Sequence, residues 1–384
     1  MEALVKLSRA VDRWSGSVVV YGTKTSNIVI WGVLDQLVQQ NIRLNRELKG
    51  GFSGPGLFMV KMEGIGEISV YHEDIFLVAL RCDELISREF DALGSAPLAR
   101  HMMKFIKPIA GEIAAVLDKS ISDDEVATIF LDEWSNTLAR ICIGLRRLGT
   151  GGSLLLTPKS TDSLLTVKYG FPYRRLGDSV ALLVLDERYA RIAWERRMEI
   201  SSEDVPYAIV MEENLAAADA EDRANEVTAA IKLVTSLASV DGLVLLDPLL
   251  HVRGFGVKIM SGTRIGKVYD GPDFLKRFKR ARLVDISRFG TRHGSILRYC
   301  QSDPDAIGLV VSQDGQVRLI MSIDNTVTLW DNVKLINYDN RVRDLREDAK
   351  RRRMLKAMWK PTLGYTSMPK TLQALHRRAK KLRE

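Results

Sequence analysis

The sequence predicts an α/β (α+β) protein, and three patterns carry that expectation. Short β-branched or leucine-rich runs, bounded by Gly, Pro or Asp-Gly, recur from Ile28 to Trp330. Between them lie stretches whose apolar residues recur three and four apart, over 98–117, 123–147 and 219–238. A dense basic stretch follows, over 339–384. The expected division is a mixed α/β N-terminal domain over 1–200, a second α/β domain over 201–338 and a basic helical tail over 339–384.

The first residues, to about Asn45, open on a short helix-like pattern followed by the β-branched run Ile28–Leu34. Gly50–Gly56 is too rich in helix and strand breakers to be other than a loop. Leu57–Met62 and Glu67–Tyr71 flank a Gly-bearing turn and predict a hairpin, with a further strand over 75–80. A helix is expected over 98–117, kinked or broken at Pro108. Ser122-Asp123-Asp124-Glu125 reads as a helix start, because those side-chain oxygens can accept from free backbone N–H groups. That helix should run to Arg147 and stop at the Gly149–Gly152 cluster, with a buried strand over 153–157. The glycines are read as a turn, since a phosphate loop needs Lys-Ser/Thr opening a helix and a strand pattern follows here.

Ser179–Ile192 reads as strand-like or mixed. A helix over 219–238 should bury Val227, Ile231, Val234 and Leu237, then deliver the chain to Asp241. Strands follow over 244–246 and 254–259, turning at Asp247-Pro248. Phe274–Lys279 is a short basic segment, and Gly290–His293 is expected to be a loop, with a helix from Ser295 to Gln301. Ala306–Val311 and Val317–Ser322 predict a hairpin across Asp314-Gly315, with one more strand over 326–330. Two basic helices are expected in the tail.

Bulk chemistry narrows the function. No run approaches the roughly 18 apolar residues of a membrane span, and no basic-then-apolar secretory pattern opens the sequence. Cys82, Cys142 and Cys300 are scattered, with neither metal spacing nor a disulfide framework, so a cytoplasmic setting is expected. The net charge of +8 conceals an asymmetry: residues 341–384 carry +11, leaving −3 for the rest. Such a tail suits an acidic partner or nucleic acid, or equally a solvated helix.

Chemistry-bearing residues gather between 241 and 315. Asp241-Gly242-Leu243, Gly254-Phe255-Gly256, Gly290-Thr291-Arg292-His293-Gly294 and Ser312-Gln313-Asp314 each sit at the mouth of an apolar run, where loops can present reactive groups. A carboxylate at 241 suits a divalent cation, glycine at 242 allows close backbone approach, and a guanidinium at 292 suits phosphate. In this order the clusters resemble the Asp-Gly-Ala and Arg-His-Arg motifs of the diadenylate cyclase family, over about a third of the chain, from Ala217 to Asn337. The earlier runs at Ile30-Trp31-Gly32, Pro55-Gly56-Leu57, Gly151–Leu155 and Leu165–Tyr169 look like a probable sensor domain preceding such cyclases in bacteria.

The resemblance implies a central mixed sheet flanked by helices, condensation of two ATP into cyclic di-AMP, Mg or Mn as cofactor, and a homodimer or higher oligomer with face-to-face domains. It implies Asp241, Gly242, Arg292 and His293 as catalytic. Leu243, Gly254, Phe255, Gly256, Gly290, Thr291, Gly294 and Ser312 would contact nucleotide, and Asp241, His293 and Asp314 would serve the metal. Three positions depart from the family pattern: Leu243 replaces alanine, Gly294 replaces the second arginine, and Gln313 replaces an acid, with Asp314 one position on. A nucleotide-binding regulator with weakened catalysis is the alternative.

Overall fold

A computed structural model of the chain describes residues 16–22, 28–35, 58–64, 67–72, 75–81, 84–86, 89–117, 121–200, 205–240, 242–260, 262–313 and 315–335. The readings of the first fifteen residues, the 50–56 loop, Asp241, Asp314 and the basic tail lie outside these residues.

The N-terminal stretch forms an antiparallel sheet of six strands: β1 (Gly16–Gly22), β2 (Ile28–Asp35), β3 (Phe58–Gly64), β4 (Glu67–His72), β5 (Ile75–Arg81) and β6 (Glu84–Ile86). Its order is β2-β1-β3-β4-β5-β6, and β3 pairs β4 as the Gly-bearing turn led one to expect.

Two helices follow, α1 (Ala96–Val116) and α2 (Asp123–Leu148). Pro108 does not break α1. Proline in a helix interior costs about 3 kcal/mol, and the buried stripe Leu98, Met102, Ile106, Ala110, Ile113 spans the proline and offsets it. Helix α2 starts where its cap chemistry places it. The Ser122 side chain accepts from the Glu125 N–H at 3.3 Å, and Gly149 ends the helix at φ 67°.

The second sheet is mixed and has nine strands. In chain order come β7 (Gly152–Leu156), β8 (Leu165–Thr166), β9 (Tyr169–Tyr173), helices α3 (Arg175–Met198) and α4 (Tyr207–Ser239), then β10 (Leu243–Leu246), β11 (Val252–Ile259) and β12 (Tyr269–Asp270). Helix α5 (Gly271–Arg277), two short 3-10 turns, helix α6 (Thr291–Ser302), β13 (Ile307–Val311), β14 (Val317–Ile323) and β15 (Thr326–Trp330) complete it. The order is β12-β15-β14-β13-β7-β10-β11-β8, with β9 also paired to β11. β7 and β10 run parallel, and β13 runs antiparallel to β7.

Side chains alternate across this sheet with period two. Leu154, Leu156, Val244, Leu246, Leu309 and Val311 join one core with residues of α1 to α4. Leu155, Leu243, Leu245, Val310 and Ile320 join a second core with Ile296, Leu297 and Cys300 of α6. Helices therefore cover both faces, which is why β7, β10 and β13 are buried at every position rather than at alternate ones.

The structure alters several expectations. Residues 179–192 are helical, inside α3, because Leu176, Val180, Leu183 and Val184 form one buried face at helical spacing. Helix α4 begins at Tyr207, well before 219, although Val227, Ile231 and Val234 are buried as expected. Helix α6 begins at Thr291, so Thr291 to Gly294 form its first turn and not a loop. The division at residue 200 does not coincide with the sheet: β7, from the earlier stretch, is hydrogen-bonded between β13 and β10.

Candidate functional site

One end of the mixed sheet gathers the motif residues. Register places Gly152 opposite Val311, and Val244 beside Leu154, so Gly152, Gly242, Val311 and Val317 line the same edge. Backbone crowding explains the glycines. A Cβ on Gly242, whose φ is 93°, would meet the Gly256 carbonyl carbon at 2.7 Å, and one on Gly152 would meet the Ala238 oxygen at 2.5 Å. Gly151, at φ 65°, lies under the Arg292 side chain: a Cβ there would sit 3.2 Å from both Arg292 Nη1 and the Gln313 nitrogen. Thus Arg292, the 312–313 turn and the Gly151–Gly152 edge converge. The glycine cluster read only as a turn forms part of this rim.

Helix α6 aims its N-terminus at the same place. Gly290 at the cap position offers no side-chain acceptor, so the first N–H groups of the helix have no side-chain cap. Thr291 is exposed and Arg292 partly buried, and Arg292 makes no ion pair among the described residues. An unanswered guanidinium beside open N–H groups favours an anion.

Behind this rim stands a residue that the motifs did not reveal. Arg318, on β14, is 8% exposed; its two terminal nitrogens have hydrogen-bonding partners, while Nε has an ion-pair contact without a hydrogen bond. Nη1 donates to Ser312 Oγ at 2.8 Å and lies 3.2 Å from His293 Nε2. Nη2 donates to Gln316 Oε1, and Nε is 2.8 Å from Asp331 Oδ1. Arg288 pairs with the other Asp331 oxygen at 2.9 Å. Phe289 stacks on the His293 ring at 5.0 Å, with the guanidiniums of Arg288 and Arg318 over its faces. The available signal was a charge between Val317 and Leu319 in a strand otherwise apolar enough to be buried.

Two chemical consequences follow. A guanidinium has no acceptor, so His293 Nε2 must accept, which puts the ring proton on Nδ1. A buried, neutral imidazole so engaged does not fit a divalent cation at Nε2. Of the residues implied for Mg or Mn, His293 is the one described, and no other group of His, Cys, Asp and Glu among the described residues is arranged for a metal. Ser312 Oγ, by contrast, accepts from Arg318 and keeps its own O–H to donate outward.

The remaining expected contacts divide. Leu243 is 5% exposed and belongs to the core beneath α6, so its side chain does not face the rim. Phe255 packs within an aromatic group, 4.9 Å from Tyr169 and 6.2 Å from Phe171. Gly254 admits the close passage of Tyr169, and Gly290 and Gly294 lie at the start of α6. Cys142 and Cys300 are fully buried, and burial pushes the Cys142 thiol up to about 12, which makes it a poor nucleophile. No protein-family model, no curated protein and no solved structure matches the chain. The likeness to diadenylate cyclases therefore rests on the motifs themselves. No helix among the described residues is long and apolar enough to cross a membrane.

Proposed function

We propose that the chain is a nucleotidyltransferase of the diadenylate cyclase type, condensing two ATP into cyclic di-AMP and two pyrophosphates. Each ribose 3′-hydroxyl would attack the α-phosphate of the other nucleotide, lose its proton and expel pyrophosphate. One domain holds one nucleotide, so two copies must face each other for both bonds to form. The observation that supports this reading best is the meeting of Arg292, the 312–313 turn and the glycine rim at one sheet edge. Arg292 would grip phosphate, the uncapped start of α6 would meet anionic oxygens, and the Ser312 hydroxyl would donate to a third. Mg or Mn, held by the carboxylates of Asp241 and Asp314, would neutralise phosphate charge.

Incubation with ATP or GTP and Mn, followed by chromatography of the products, tests the reading. Cyclic di-AMP from the parental chain and none from Asp241→Asn is the expected result. A second reading, a nucleotide-binding regulator on the same fold, is favoured by His293, whose Nε2 is tied to Arg318, and by Gly294. Retained ATP binding without product would select it.

A further inference from the structure

At the β12 edge of the mixed sheet the chain leaves and returns through one closed excursion. Backbone bonds tie its two ends, from Asp270 N–H to the Arg282 carbonyl and from Val284 N–H to the Val268 carbonyl, each at 2.9 Å. From 264 to 282 the sequence sets seven Lys/Arg against two Asp. Both aspartates are engaged within the excursion. Asp270 accepts from the Asp273 N–H at 3.0 Å and pairs with Arg282 at 2.5 Å. Asp273 accepts from the Arg282 backbone N–H at 2.7 Å and pairs with Arg277 at 3.3 Å. Arg264, Lys267, Lys276 and Arg280 are exposed, and no carboxylate among the described residues pairs with them. Three large apolar side chains stand among these cations. Leu275, Phe278 and Leu283 are 50%, 46% and 51% exposed, and none belongs to either core. Phe278 ends α5 at φ 49°, a left-handed conformation that a bulky side chain adopts only at a cost. Strain kept at a residue outside the core points to a use beyond the chain itself.

We propose that this excursion is a docking surface for an acidic phospholipid bilayer. Lys276, Arg280 and the cations beside them meet the anionic headgroups, while Leu275, Phe278 and Leu283 enter the boundary between headgroups and acyl chains. Nucleic acid fits the pattern less well. Its phosphates would be met by the charges, but its bases stack on flat rings, and Leu275 and Leu283 offer none. The attachment is to the bilayer surface and needs no spanning segment.

Co-sedimentation of the full chain with phosphatidylcholine vesicles, with and without roughly one-third phosphatidylserine, tests this. The parental chain should sediment with the acidic vesicles and not with the neutral ones, and added salt should weaken the binding. Lys276→Gln with Arg280→Gln should lower it by an order of magnitude or more, about fivefold for each charge. Phe278→Gly should lower it by about fivefold to tenfold. Glycine suits φ 49°, so the melting temperature of that variant should hold. No binding to acidic vesicles overturns the proposal, as does equal binding to neutral ones. Binding to acidic vesicles that both variants leave unchanged places the contact elsewhere, the basic tail included, and overturns it too. A duplex DNA run in parallel covers the other polyanion: variants that lose DNA and keep vesicles assign the surface to nucleic acid and overturn the lipid assignment.

Discussion

Strand β10 joins two regions built on opposite terms. Beyond its C-terminal end, the His251 ring is clasped by two carboxylates, Nδ1 at 2.9 Å from Asp247 and Nε2 at 3.0 Å from Asp178 of α3. Asp247 also accepts from the backbone N–H groups of Leu249 and His251. Trp134 of α2 donates from Nε1 to the Pro248 carbonyl at 2.9 Å, and across the sheet Thr157 donates to Asp303 at 2.7 Å. Charges and dipoles there answer one another. At the other end the rim is made of glycines, an uncapped helix start and the guanidinium of Arg292, which no carboxylate among the described residues meets. One end is arranged to hold itself together, and the other is arranged to hold something else. Substitutions at the two ends should therefore separate stability from binding.

The largest effect should come from the self-satisfied end. Trp134 is fully buried, and Trp134→Ala should cost about 3–5 kcal/mol in urea unfolding. Trp134→Phe keeps most of the volume and should cost nearer 1–3 kcal/mol, from the Pro248 carbonyl left without its donor. ATP affinity of the folded fraction should not change in either variant. A fall in ATP affinity equal to that of an Arg292 variant would erase the distinction between the ends.

Arg292→Gln should behave in the opposite way. It removes a cation that stabilises no partner within the described chain, so the melting temperature should stay put or rise slightly. ATP affinity should fall by about tenfold or more, roughly 1.5–3 kcal/mol for hydrogen bonds to a charged group. The ATP affinity should also weaken with salt in the parental chain and less so in the variant. A melting temperature that drops with affinity unchanged would return Arg292 to the structural class.

Why part of this was legible in the sequence and part was not follows from the range of the forces. Ser122 and Gly149 act on backbone groups within one turn, so both ends of α2 could be read directly. The hairpin of β13 and β14 was legible for the same reason: an Asp-Gly pair stands between two apolar runs, and the Gly315 N–H donates to Ser312 O at 3.0 Å. Residues 179–192 were misread because a run such as Val180–Leu185 suits a buried strand or a buried helix face, and only packing against α2 and α4 decides. Gly290 carries no capping side chain, so nothing local announced that α6 starts at Thr291. Arg318 was invisible as a hub because its partners come from α6, the β13–β14 turn and the segment after β15. Motif order located the rim; the buried scaffold that orients Ser312 and His293 needed tertiary structure.

The smallest effect, and the sharpest test of the self-satisfied end, is in its pH dependence. Hydrogen bonding to Asp247 raises the His251 pKa above its usual 6.5, partly opposed by burial, with the Asp247 charge and then Asp178 adding to the rise. The other charges at the clasp are Arg253 and Arg174, the latter 3.6 Å from Asp178. Burial alone would raise Asp247, yet its bonds from His251 hold it below the usual carboxylate value. A histidine whose folded pKa exceeds its unfolded value binds more protons in the native state. Its contribution is complete below the unfolded pKa of 6.5 and is lost as pH rises through the folded value. Stability should thus decline as pH rises above about 6.5, and His251→Gln should flatten that decline while leaving ATP affinity at a fixed pH unaltered. The variant keeps a hydrogen-bonding side chain but cannot be charged, so a flattened slope isolates the imidazolium from the packing of α3, where a Cβ on Gly177 would already meet the Leu249 oxygen at 2.1 Å. If the slope in the variant equals the parental one, the clasp contributes through shape alone, and the contrast between the two ends reduces to which of them carries unmatched arginines.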